Sequence, residues 1–305
     1  MLASIRNATK IYGQHKALNN VTFDLAEGEV HCLVGENGAG KSTLTKILSG
    51  AIAPDSGTIV LDGTEHHSLT PRQAIELGVA TVYQEPELIE SLTVADNIYL
   101  GDERSAAFPL MVDTRTQNER ARQLIGSLHF DLKEDALVKD LSSAQKQMLQ
   151  IVKARYRDAK IIIMDEPTSS FGREETNSLM DLIRSLKAKG IGIIYISHFL
   201  EQVFEIGDRI TILKDGESMG TFPRSAIGMD TVIRKMVGRD ASLFYAKEEV
   251  TPGPVQLEIR HLGRRGVVED VSFEVRSGEI FGLGGLVGSG RSELVNLIFG
   301  ADRRD

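Results

Sequence analysis

Residues Gly35-Glu36-Asn37-Gly38-Ala39-Gly40-Lys41-Ser42-Thr43 match the spacing GxxxxGK[ST], and no other stretch constrains this chain as tightly. Upstream lies the apolar run Val30-His31-Cys32-Leu33-Val34; downstream, Ser42 to Leu48 reads as a helix. A strand, a glycine turn and a helix in that order form a cradle for phosphate. The glycines let the backbone fold tightly enough to aim its N–H groups at phosphate oxygens, and the helix N-terminus adds a favourable dipole. In that cradle Lys41 is expected to meet the β and γ phosphates of a nucleotide, with Ser42 offering its hydroxyl to Mg²⁺.

A strand that feeds such a loop needs partners, and the chain supplies them. Lys160 to Met164 and Ile191 to Ile196 are continuous apolar runs of strand length, the pattern of strands buried on both faces. Alternation of such runs with helical patterns predicts βαβ units and a parallel sheet covered on both sides. Between about Pro86 and Arg157 the pattern is mostly helical, with Ala121, Leu124, Ile125 and Leu128 on one face. A helical insertion therefore interrupts an α/β core.

Four further positions carry chemistry. The run Ile161 to Met164 ends in Asp165-Glu166-Pro167, and ligands of wound sheets sit beyond the carboxyl ends of the strands, so Asp165 is expected near the phosphates and their metal. Glu166 is then the group free to orient and deprotonate an attacking water. His198 closes the strand Ile191 to Ser197, within reach of a γ-phosphate. Gln84 follows Val79-Ala80-Thr81-Val82-Tyr83 and could ligate metal or hold water. Leu141-Ser142-Ser143-Ala144-Gln145 reads as the start of a helix capped at Ser142 or Ser143, with a mild affinity for anions.

Composition narrows the classes that remain. The longest apolar stretches fall far short of the roughly 20 residues of a bilayer-spanning helix, and Met1 to Asn7 lacks the apolar region of a signal peptide. The cytoplasm is the expected compartment. A net charge of -8 argues against nucleic acid as a partner, and the single cysteine, Cys32, excludes an internal disulfide or a multi-cysteine metal site. The chain also begins one unit twice: Leu18 to Gly50 aligns without gaps on Val268 to Gly300, sharing Gly28/Gly278, Gly35/Gly285, Gly40/Gly290 and Ser42/Ser292 among others. The boundary is expected in the charged, proline-bearing stretch 247–254, after a first unit at 1–246 and before 255–305.

The order of these elements, glycine loop, Gln84, the Leu141-Ser142 segment, Asp165-Glu166 and His198, resembles the ATP-binding cassette (ABC) ATPases. More narrowly, Tyr83 to Ile89, Leu92 to Ile98 and Gly192 to His198 resemble the tandem ATP-binding subunits of bacterial carbohydrate importers for ribose, galactose, xylose and arabinose. The resemblance implies an α/β P-loop cassette, a mixed-sheet core with an antiparallel β subdomain and a helical subdomain at about 86–157. Residues 255–305 would be the incomplete start of a second cassette. It further implies ATP and Mg²⁺ as cofactors, Tyr12 as the platform for adenine and Lys41 as the phosphate lysine. Ser42 and Gln84 would be Mg²⁺ ligands, Asp165 a metal partner, Glu166 the base and His198 the γ-phosphate sensor. Ser142, Ser143, Ala144 and Gln145 correspond to the signature segment, which contacts ATP held by the opposite cassette. The implied activity is ATP hydrolysis that energises monosaccharide import at the cytoplasmic face of the membrane. The partners would be permease subunits and a second cassette, either another copy or a missing half. An ATP-binding module with little hydrolysis is the alternative reading.

The sequence also departs from that pattern. Ser142-Ser143-Ala144 stands where the broad superfamily has Ser-Gly-Gly, and Thr168-Ser169-Ser170-Phe171-Gly172 replaces a smaller loop at the cassette interface. In the second copy Arg291 takes the lysine position, exchanging a compact point charge for a planar fork.

Overall fold

The computed structural model describes all residues except 84–86, 102–112, 129, 169–170, 239–250, 286–287 and 304–305. The chain divides into two compact units, Met1–Ala241 and Ser242–Asp305.

In the first unit, strands β1 (Ala3–Tyr12), β2 (His15–Leu25), β4 (Ser56–Leu61) and β5 (Thr64–His66) form an antiparallel sheet in the order β2-β1-β4-β5. A second sheet has the order β10-β9-β3-β8-β7-β6. Its members are β3 (Val30–Val34), β6 (Val79–Val82), β7 (Ile161–Asp165), β8 (Gly192–Ile196), β9 (Arg209–Lys214) and β10 (Glu217–Pro223). Its pairs are parallel except β9 with β10, a tight hairpin. The expected parallel sheet is thus present, with one antiparallel edge strand.

Side-chain alternation in the central strands explains the layering. Successive residues of a strand point to opposite faces, so Ile161, Ile163, Ile194 and Ile196 pack with Leu33, the antiparallel sheet and helix α1 (Lys41–Leu48). Their neighbours Ile162, Met164, Ile193 and Tyr195 pack on the other face, with the helical part of the unit. Both faces are covered, which is why these strands read as unbroken apolar runs.

The helical insertion contains α3 (Val94–Tyr99), α4 (Thr114–Ser127) and α5 (Ser143–Tyr156) among the described residues. On α4, Ala121 and Ile125 are buried as the apolar spacing predicts, and Leu128 just beyond it is buried too. Helix α5 starts where Ser142 closes a capping box with Gln145: each side chain accepts the other's backbone N–H, at 3.2 and 3.0 Å. Helices α2 (Pro71–Glu76), α6 (Arg173–Ala188), α7 (Leu200–Ile206) and α8 (Met229–Val237) complete the unit. Among the described residues no helix is long and apolar enough to cross a membrane.

The second unit consists of the antiparallel hairpin β11 (Val255–Arg264) and β12 (Val268–Arg276) and the helix α9 (Arg291–Phe299). Its core is Val268, Leu294 and Leu297, with Leu262, Val271, Phe273 and Ile298 packed against them. The sequence repeat is visible as structure: β12 and α9 occupy the aligned positions of β2 and α1, and Gly290 is left-handed as Gly40 is. One element is not reproduced. The segment aligned with β3 forms no strand, and Ile280 is 96% exposed. β3 exists because β8 and β9 flank it, and the described residues of the second unit offer no such neighbours.

Candidate active site

Sheet register brings the predicted residues to one edge. Leu33 on β3 pairs with Ile196 on β8, and Ile196 pairs with Asp165 on β7. The three strands therefore end level, so the glycine loop after β3, Glu166 after β7 and His198 after β8 all emerge at the same carboxyl end of the sheet.

The loop from Gly35 to Gly40 is walled in by its neighbours. A Cβ on Gly35 would lie 2.4 Å from the Leu213 carbonyl oxygen, and one on Gly40 would lie 2.6 Å from that of Ala17. Gly40 also takes φ +103°, a left-handed conformation that side chains resist. Glu36, Asn37 and Gly38 form the exposed rim while Ala39 and Gly40 are buried. Because Gly40 offers no capping side chain, the first N–H groups of α1, from Lys41, Ser42 and Thr43, have no intrahelical acceptor. They are available to an anion, with the exposed Ser42 hydroxyl beside them.

Lys41 is folded back over this loop. Its Nζ donates to the carbonyl oxygens of Gly35 at 2.7 Å and Glu36 at 3.0 Å. Burial lowers the ammonium pKa, and the charges of Glu166 and Asp165 oppose that shift. The Asp165 carboxyl is pushed up by burial and by the adjacent Glu166, against the pull of Lys41 and Lys46. Lysine and acidic pair thus share one electrostatic site. Glu166 itself has φ +47°, left-handed for a non-glycine residue, and its N–H donates to the Ile196 carbonyl at 3.0 Å. Such a backbone is held only where the surroundings fix it, and it is a recurrent feature of active sites. It turns the side chain so that Oε2 lies 3.4 Å from Nδ1 of His198. The His198 ring in turn packs on Phe199, with centroids 4.0 Å apart.

The donors present suit Mg²⁺. This hard, small ion takes one or two protein oxygens and completes its shell with water and substrate phosphates. The Ser42 hydroxyl and the Asp165 carboxylate are such oxygens, beside a loop built for phosphate. Among the described residues there is no cluster of three or more His, Cys, Asp or Glu that would hold a metal without a nucleotide.

Other predicted positions lie apart from this edge. Tyr12 ends β1, half exposed, with the Lys10 ammonium 5.6 Å from its ring centroid. The signature segment sits at the start of α5, with Ser142 and Ser143 exposed, Ala144 buried and Gln145 half-buried. It lines a surface cavity with Phe130, Asp131, Glu175 and Asp181 and has no tie to the glycine loop of its own unit among the hydrogen bonds of the described residues. Gln84 and Ser169-Ser170 lie outside the described residues.

Sequence reasoning missed the groups that hold these elements in place. On α5 the buried Gln147 donates to the Tyr83 carbonyl at 3.1 Å, and Gln150 accepts the Tyr83 N–H at 3.2 Å. Helix α5 therefore grips the residue that precedes Gln84. The signal was two glutamines three apart on an otherwise apolar helix face. Asp55, which accepts the Ile11 N–H at 2.6 Å and the Lys10 ammonium at 3.1 Å, anchors the strand end that carries Tyr12.

Comparison with known proteins agrees with this geometry. Residues 18–169 match the ABC transporter family. Ribose import ATP-binding protein RbsA 3 of Rhizobium meliloti (strain 1021) is 45% identical over 305 residues, covering 100% of this chain and 60% of that protein. Ribose import ATP-binding protein RbsA 1 of Rubrobacter xylanophilus is 46% identical over 304 residues, again 60% of its length. The chain thus spans 60% of these curated relatives. Among solved structures, a nucleotide-free ATP-binding cassette from an ABC transporter superposes with a TM-score of 0.67 at 22% identity, covering 80% of this chain and 97% of that one. A dimeric cassette bound to ADP and Pi in a post-hydrolysis state gives 0.63 at 25% identity, covering 74% and 100%. With the glycine loop, the acidic strand end and the histidine on one sheet edge, this chain belongs to the ABC transporter family, and its first unit has the fold of that family's ATP-binding cassette.

Proposed function

We propose that this chain is the Mg²⁺-dependent ATP-hydrolysing component of an ABC-type monosaccharide importer. The observation that carries the reading is the convergence of Lys41, Asp165, Glu166 and His198 on one sheet edge. The substrate class rests on the relatives, which are ribose import proteins by name.

In this reading the loop Gly35 to Thr43 wraps the triphosphate with its N–H groups, and Lys41 leaves its two carbonyl contacts to meet the β and γ phosphates. Tyr12 supports adenine. Mg²⁺ screens the phosphate charge when bound, with Ser42, Gln84 and Asp165 as the residues that would hold it. Glu166 accepts a proton from a water as the water oxygen bonds to the γ-phosphorus. The bond to the β–γ bridging oxygen breaks, and ADP and phosphate leave. His198, beside Glu166, hydrogen-bonds the γ-phosphate and holds the carboxylate in line.

The signature residues Ser142 to Gln145 point to use in trans, since they lie on the helical layer and not at the loop. A second cassette, from another copy or from a further part of a longer protein, would present its signature to Lys41. We assign 1–246 to the first cassette, 247–254 to a linker and 255–305 to the start of a second. Permease subunits would dock on the surface around Gln84 to Glu90, beside the groove lined by Ile75, Tyr83, Glu87 and Lys153. That places the chain peripherally at the cytoplasmic face of the membrane, with no role for nucleic acid.

ATP turnover measured against chain concentration, for the parent and for Glu166→Gln, tests the reading. Specific activity should rise with concentration and fall about 10²–10⁴-fold in the variant while ATP still binds. Turnover unchanged by the substitution would remove Glu166 from the mechanism. ATP binding with no turnover at any concentration would mark a nucleotide-binding module instead.

A further inference from the structure

Beyond the base and the histidine, one side chain joins the two segments that carry them. Gln202 lies on α7, and its Oε1 accepts from the Thr168 hydroxyl at 2.9 Å, the Tyr195 hydroxyl at 2.7 Å and, more weakly, the Ser197 hydroxyl at 3.4 Å. Thr168 stands two residues after Glu166; Ser197 stands immediately before His198. The network continues into the histidine loop, where the Phe199 N–H donates to the Ser197 Oγ at 3.0 Å, and the Phe199 ring carries His198.

Its members are inside the protein. Tyr195, Thr168 and Ser197 are 0, 4 and 2% exposed, so removing this oxygen would leave their buried hydroxyls one acceptor short, away from solvent. Water cannot readily replace Gln202 there. Besides the Glu166–His198 pair itself and the strand contact between the Glu166 N–H and Ile196, this oxygen is the acceptor that hydroxyls of both segments share, with the Tyr195 hydroxyl also bonded to the side chains of Thr168 and Ser197. Helix α7 is packed into the larger core through Val203 and Ile206, which gives the oxygen a rigid mount.

We propose that Gln202 is a positioning residue that sets Glu166 against His198 by holding the loop after β7 and the loop after β8 to one acceptor. The proposal deepens the hydrolytic reading of that site and rests on it for its functional consequence. Among the described residues the partners of the Gln202 side chain are hydroxyl donors, so its oxygen carries the link. A carboxylate in its place can do the same work, whereas an apolar side chain of similar size cannot.

The test compares Gln202→Leu, Gln202→Glu and Thr168→Val in the full chain by two readouts. One is kcat and KM for ATP. The other is backbone hydrogen exchange at residues 166–168 and 197–199, which does not require turnover. Gln202→Leu is expected to lower kcat by roughly tenfold or more with KM within about twofold. It should also speed exchange at both loops by about fivefold or more while the central strands stay protected. Gln202→Glu should restore both readouts. Thr168→Val, which keeps shape and removes one hydroxyl, should speed exchange at 197–199 as well as at its own segment, and it serves if the leucine variant does not fold. Unmoved exchange at the two loops in Gln202→Leu overturns the proposal, as does a glutamate variant as impaired as leucine. If the parent hydrolyses no ATP but exchange responds as stated, the hydrolytic reading fails and the positioning role stands.

Discussion

Glu166 Oε2 and His198 Nδ1 lie 3.4 Å apart, on the loops after two adjacent parallel strands. The contact depends on backbone as much as on side chain, because Glu166 holds φ +47° to make it. Groups placed this way act as a unit, and removing either should forfeit much of what both supply. His198→Ala is expected to lower kcat about 10²–10³-fold, the usual cost of losing one preorganised hydrogen bond to a transition state. The double variant with Glu166→Gln should be no slower than the slower single. Steady-state turnover of the three variants checks this; multiplying losses would mean that the two residues act independently.

Lys41 gives a prediction on binding. The side chain is buried against the loop and its ammonium is held by two carbonyl oxygens, so it is preorganised beside the phosphate site. Lys41→Met keeps the apolar stem and removes the charge. A charge-assisted hydrogen bond contributes about 1.5–3 kcal/mol, so ATP should bind roughly 10- to 150-fold more weakly. Isothermal titration with ATP measures the change, and thermal unfolding of the free protein separates it from misfolding.

Tyr12 and Asp55 separate the base from the phosphates. A ring that supports adenine should matter for ATP and not for inorganic tripolyphosphate. Stacking of a base on an aromatic side chain contributes about 1–3 kcal/mol, so Tyr12→Ala should weaken ATP binding by roughly 5- to 150-fold and leave tripolyphosphate unchanged. Asp55→Ala, which frees the Ile11 N–H and the Lys10 ammonium at the same strand end, should show the same selectivity with a smaller loss. Equal losses for both ligands would move Tyr12 out of the adenine site.

The parts of this fold legible in the sequence are those fixed by local pattern. Ile161 to Met164 and Ile191 to Ile196 are readable as strands because both of their faces are buried, which leaves an unbroken apolar run. The loop is readable because two of its glycines, Gly35 and Gly40, meet backbone that leaves no room for a Cβ. The hidden part is polar and long-range. Gln202, Gln147 and Gln150 each look like a solvated helix residue until the strands they hold are in place, and nothing near Asp55 in sequence points to Ile11. The segment from Ile280 to Gly284 shows the same limit from the other side. It keeps the leucine of β3 at Leu283 and leads into Gly285 as β3 leads into Gly35, yet it forms no strand, since strand formation depends on neighbours that no local pattern encodes.

His31 predicts how the first unit responds to acid. Its ring is fully buried between the two sheets, packed on Phe23 with centroids 4.3 Å apart. Nδ1 lies 2.6 Å from the Asp24 carbonyl oxygen and therefore donates; Nε2 lies 2.7 Å from the Thr211 hydroxyl, which is able to donate to it. These contacts satisfy a neutral ring, with Glu29 3.6 Å away. Burial outweighs the attraction of Glu29, and Arg209 adds to it, so the pKa falls from 6.5 to about 4. The unfolded chain then binds more protons than the folded one between those values. Stability contributed by the neutral ring is present above pH 6.5 and is lost as pH falls towards 4, by about 2 kcal/mol between pH 7 and pH 5. Urea unfolding of the full chain at the two pH values, followed by a probe in the first unit, measures it. His31→Gln, which cannot titrate, should flatten this part of the slope even if it lowers stability at pH 7. An unchanged slope would mean that the ring is not the group responsible.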